Sequence, residues 1–138
     1  MNGPRHERQP GAEMVVLGFH EFFPTAQEVV SARRFVRDVL VADGRPPEVV
    51  AAAELVVDEF ALNATRHAGT FFSVLVESAP GVVRVAVRDD SDVFPQVRPH
   101  IVTSIAGRGL SIVASTAEEW GADPLGRGKE VWALLHSA

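Results

Sequence analysis

Residues 56–69, VVDEFALNATRHAG, carry apolar residues at helical spacing and end on a glycine. That pattern predicts a helix closing at Ala68, with Gly69 as its stop. The same period extends back to about Pro47, just after the turn-forming RPP at 45–47. On a helical wheel for 48–68, Ala53, Val57, Phe60, Ala61 and Ala64 form the main apolar face. Glu54, Asp58 and Thr65 form the wet face. Glu59 and Asn63 belong to neither, lying between Leu55/Leu62 on one flank and Val56/Phe60 on the other. Residues four apart on a helix point the same way, so the carboxylate and the amide project together. A carboxylate bordered by apolar residues is costly unless something pairs with it. Two arrangements meet that need. One is a boundary pair, with Glu59 solvated and Asn63 bonded to backbone. The other is a pocket in which a cation or ligand supplies the partner. His67, one turn further on, reads as a helix-end residue bonding a late carbonyl.

On the N-terminal side, residues 14–22, MVVLGFHEF, read as a first strand. A helix follows, opened by Thr25 and Glu28 in capping-box spacing. It carries Val29, Phe35, Val36, Val39 and Leu40 at helical spacing and stops at Gly44. On the C-terminal side the period falls to two. FFSVLVES and VVRVAVRDD predict two strands joined at Ala79-Pro80-Gly81, with Val83, Val85 and Val87 alternating along the second. Residues 89–107 show no period and contain Pro95 and Pro99, which predicts a long loop of a kind that is often functional. GRGLSIVASTAEEW starts a third helix, and EVWALLHS is a last strand after the turn GRGK. The order β-α-α-β-β-loop-α-β predicts an α/β (α+β) two-layer sandwich, a mostly antiparallel sheet with helices on one face.

A chain of 138 residues has the length of one domain. Residues 1–13 read as a disordered lead-in and 14–138 as the domain. Apolar residues make up 46% and charged residues 22%, the balance of a soluble globular protein. The net charge of −5 and the lack of any Lys/Arg block argue against phosphate-tracking nucleic-acid binding. The absence of cysteine removes disulfides, thiolate catalysis and zinc-thiolate sites. No apolar run approaches the roughly 18 residues of a membrane span, and the N-terminus has no secretory apolar core. A cytoplasmic protein is the expectation, which leaves the sequon NAT at 63–65 without meaning. His6, His20, His67, His100 and His136 show no metal-ligand spacing, and Ser111 lacks a nucleophile-elbow setting.

Two further stretches bear on Glu59 and Asn63. VAVRDDSD ends a strand in Asp89-Asp90. Such a pair is a turn former, or a fixed acceptor for an amino group at the mouth of a pocket. Gly107 and Gly109 stand directly before a helix, where backbone N–H groups can approach a phosphate. Neither stretch has dinucleotide-fingerprint or Walker spacing. Arg33, Arg34 and Arg37 on the first helix read as a solvated basic face, or as a dock for an acidic partner.

Glu-x-x-x-Asn-Ala on a helix, a strand ending in Asp, a loop and then Gly-x-Gly-Leu resembles the ATP-binding domain of gyrase, histidine kinases and their relatives (the GHKL group, or Bergerat fold). NATRHA, GRGLSIV, EEWGADPLGRGKEVWALL and FPTAQEVVSARRFVRDVL are similar to the stand-alone branch, the anti-sigma factor serine/threonine kinases of the RsbW type. The likeness covers about residues 14–136. It implies that Glu59 is the general base and that Asn63 holds the Mg²⁺ bridging the phosphates of ATP. It implies that Asp89 accepts from the adenine amino group, with Ser91 where the family has a small glycine. Gly107, Arg108, Gly109 and Leu110 would surround the phosphates, with 92–106 as a lid. The implied protein is a bacterial homodimer that sequesters a sigma factor and phosphorylates an anti-anti-sigma antagonist. The alternative is a nucleotide-poor or inactive binding module of the same fold, regulating transcription through protein contacts. The sequence departs from the family at Asp89-Asp90-Ser91-Asp92-Val93, where two glycines are usual. It also departs at Glu130, near a position where the family often has threonine. If that carboxylate faced the site, it would repel phosphate.

Overall fold

The computed structural model describes residues 13–91, 117 and 119–136. Strand β1 (Val15–Phe22) is followed by helices α1 (Ala26–Ala42) and α2 (Pro47–Asn63). Then come β2 (Phe72–Ala79), β3 (Val82–Asp89), β4 (Glu119–Pro124) and β5 (Lys129–His136). The five strands form one sheet in the order β1-β2-β3-β5-β4, with every neighbouring pair antiparallel. The two helices pack against each other and onto one face of that sheet, giving the two-layer α+β architecture.

Period two decides which side chains meet the helices. Val83, Val85 and Val87 of β3 and Val131, Ala133 and Leu135 of β5 share one buried core with the helices. From the helices come Val29, Ala32, Val36 and Leu40 of α1, and Val49, Val56, Val57 and Phe60 of α2. The intervening residues turn to the other face, where Ala79, Val82, Ala86, Trp132 and Leu134 make a smaller cluster. At the entry of α1, the Thr25 hydroxyl accepts from Glu28 N–H at 3.2 Å and the Glu28 carboxylate accepts from Phe23 N–H at 3.1 Å. The first bond satisfies an N–H left open by the helix start, and the second ties the chain before the cap back to the first turn.

The final β-hairpin differs from the sequence expectation. The helix expected from GRGLSIVASTAEEW cannot include its last two residues, because Glu119 and Trp120 begin β4. Trp120 and Ala122 pack on the core, while on the other face the Trp132 indole donates to Asp123 at 2.8 Å. This alternation is a strand signal, but Gly121 and Pro124 dilute it. Ala117 is not helical either, and residues 107–116 and 118 lie outside the described residues, as does the expected loop beyond Ser91.

Candidate functional site

Helix α2 does not end as an ordinary helix. From Ala64 to Ala68 the chain widens into a π turn, closed by Gly69 N–H donating to the Ala64 carbonyl at 3.2 Å. Gly69 is left-handed (φ 64°), a conformation glycine adopts without a Cβ penalty. Single π turns inside helices cluster at functional sites. Here the turn begins one residue after Asn63, which is half-buried. The described features of His67 do not include its side chain, so the expectation for it stays outside them.

Glu59 faces the interior. It is only 5% exposed, and its Oε2 has no hydrogen-bond partner. Burial lifts its pKa from 4.5 to about 7, with Arg66 pulling it down and Asp58 pushing it up. The solvated boundary arrangement is therefore not what the chain adopts. The buried, unpartnered oxygen is an acceptor that lacks a donor, and leaving one unmet costs on the order of 1–3 kcal/mol. A substrate hydroxyl or a bound water would supply what it lacks.

Asp89 ends β3 on the helix-facing side, in register with Val87 and Val85. It lies opposite Lys129, the first residue of β5. The Lys129 ammonium donates to both Asp89 oxygens, at 2.8 and 2.9 Å, and Ser91 N–H donates to Oδ1 at 2.8 Å. Both ionic side chains are almost sealed from solvent, at 3% exposure for Asp89 and 5% for Lys129. Asp90 N–H donates to the Thr70 hydroxyl at 3.3 Å, which ties the exit of β3 to the chain just after the π turn. The β4–β5 turn closes the same corner. Gly128 has φ 80°, and a Cβ there would press on the Asp89 carbonyl and lie 2.7 Å from Asp90 Cα. Only glycine fits so close to the strand exit.

The structure thus gathers Asp89, Ser91, Thr70, Gly128 and Lys129 at one end of the sheet, with Glu59 and Asn63 a helical turn apart on α2. Gly107, Arg108, Gly109 and Leu110 lie outside the described residues, as do positions 92–106. Lys129 is the residue that sequence reasoning missed. Its signal was present in the period, since a lysine one step before Val131 and Ala133 must face the core. A cavity of about 230 Å³ opens beside Asp89 and Asp90 between Glu21, Ser73, Phe71, Arg88, Leu125 and Arg127. Neither Glu59 nor Asn63 lines it.

Glu130 faces away from the helices. Arg84 donates to its Oε1 and Arg88 to its Oε2, each at 2.7 Å, and Glu77 holds Arg84 from the next strand at 3.0 Å. Burial alone would raise the Glu130 pKa, but the two guanidiniums outweigh it and hold the carboxyl below its usual range. Its charge is spent within the sheet and does not oppose a phosphate on the helix side.

A bound nucleotide with Mg²⁺ fits these residues unevenly. Mg²⁺ keeps several waters and is held by few protein groups besides substrate phosphates, so a single amide oxygen such as that of Asn63 suits it. Among the described residues no cluster of three or more His, Asp or Glu offers a metal cage by itself. At the other end, the Asp89 carboxylate is already taken. Among the described residues no helix is long and apolar enough to cross a membrane. Residues 22–134 match the sequence model of the histidine kinase-like ATPase domain. No curated protein matches the chain.

Proposed function

The chain belongs to the histidine kinase-like ATPase domain family, and on that premise we propose that it binds Mg-ATP and transfers phosphate to a protein serine or threonine. The observation that carries this reading is Glu59, a buried carboxylate with an unpartnered oxygen one turn before Asn63. Phosphoryl transfer asks a protein mainly for positioning and charge neutralisation. Asn63 would hold the Mg²⁺ and Glu59 would take the proton of the acceptor hydroxyl. Ser91 and the stretch 107–110 would enclose the nucleotide. The cellular role we infer is that of a cytoplasmic, homodimeric anti-sigma factor that sequesters a sigma factor and phosphorylates its antagonist. The family resemblance of NATRHA and GRGLSIV supports that role.

A second reading has its own support. The Asp89–Lys129 ion pair closes the carboxylate that a base would need, which favours a protein that works by binding partners with little nucleotide turnover. One experiment separates the two. Partners captured by the protein are incubated with it and Mg-ATP, and their serines and threonines are mapped for phosphate by mass spectrometry. Phosphate that appears with the native protein and vanishes with Glu59→Gln identifies a kinase. Partners that are captured but never phosphorylated identify a binding module.

A further inference from the structure

Asp89 and Lys129 do more than close the end of a sheet. An ionised carboxylate has about four acceptor positions, and an ammonium has three donors and no acceptor. Three of the Asp89 positions are filled, two by Lys129 and one by Ser91 N–H. Both side chains are more than nine-tenths buried. The pair also lies on the helix-facing side of the sheet, in line with the core valines, and beside the chain that leaves α2 through Thr70. Resting on the nucleotide reading above, we propose that Lys129 is a specificity-determining residue that occupies most of the base-recognition carboxylate, so that an adenine amino group competes with the ammonium for Asp89.

Three consequences follow from the chemistry. First, a neutral amino group is a weaker partner for a buried carboxylate than an ammonium, because it brings a hydrogen bond without the opposite charge. Exchanging one for the other costs affinity for adenine. Second, the cost falls on the base and not on the phosphates, so the native protein discriminates poorly between adenine and guanine nucleotides. A site selects strongly between bases only when its own buried polar groups are left unpaired by the wrong one. With Lys129 in place, Asp89 is never left unpaired. Third, removal of the ammonium leaves a buried carboxylate with Ser91 N–H and no counter-charge, a deficit that a ligand amino group reduces. The free protein loses stability and nucleotide restores it.

The test is calorimetric titration of native protein, Lys129→Met and Lys129→Gln with ATP and with GTP, each with Mg²⁺. Methionine keeps the apolar stem without the charge. Glutamine keeps a donor for Asp89, and so a folded protein if the methionine variant fails to fold. We expect native affinities for ATP and GTP within about three-fold of each other, and Lys129→Met to gain about ten-fold for ATP with no gain for GTP. Lys129→Gln should move in the same direction by about three-fold. A structural strut would lower both affinities together. If native protein binds ATP but neither variant shifts the ATP:GTP ratio, the assignment of Lys129 is overturned and the nucleotide site stands. If neither native protein nor variant binds either nucleotide, both readings fall.

Discussion

At the scale of single residues, Glu59 carries the most consequence. Its carboxyl keeps a proton in the folded chain up to about pH 7 and, in the unfolded chain, releases it near 4.5. Between those values the folded state holds more protons, so stability falls as pH rises through the window. Glu59→Gln removes the slope. We expect the variant to be more stable than native protein at pH 8 by about 1–2 kcal/mol, with the gap closing by pH 4, as read from urea midpoints. The position was legible in the sequence, since a wheel that leaves a carboxylate on neither face marks it. The Asp89–Lys129 pair was not. Local reading sees a turn-forming Asp and a lysine in a glycine-rich turn, and only the β3–β5 register brings them opposite each other.

Elements show where local and tertiary causes divide. The start of α1 is local: Thr25 and Glu28 sit three apart, and Thr25 caps Glu28 N–H as that spacing anticipates, while the Glu28 carboxylate reaches past the cap to Phe23 N–H. Thr25→Ala should cost about 1 kcal/mol, seen as a lowered urea midpoint with an unchanged slope. The end of α2 was legible as far as its stop at Gly69. The π turn was not, because one extra residue per turn leaves no mark in apolar spacing. Strand β4 was missed for a related reason: six residues containing Gly121 and Pro124 gain their strand character from pairing with β5. Across β3 and β5, Glu130 holds Arg84, whose side chain is 6% exposed. Glu130→Ala should cost about 3 kcal/mol, since it strips a buried guanidinium of its shortest partner. Native protein should also lose this contribution on acidification, because the lowered Glu130 pKa stabilises only while the group is ionised. The gap between native and variant urea midpoints, widest at pH 7, should therefore narrow as pH falls below the ordinary value of 4.5.

For the whole molecule, the alternating valines of β2 and β3 and the two amphipathic helices were enough to place a helical layer on an antiparallel sheet. They also placed Glu59 and Asn63 on the inner helix. What they left open is how that layer meets the end of the sheet, which depends on Thr70, Gly128 and Lys129 acting across long sequence separations. On the proposed reading, α2 organises a nucleotide site at this junction. Its most direct test is titration of the purified protein with ATP, with and without Mg²⁺, beside Asn63→Ala. We expect saturable binding below about millimolar ATP that needs Mg²⁺ and is lost in the variant. Folded protein that takes up no ATP at millimolar concentration, or that binds it equally well without Asn63, would contradict it.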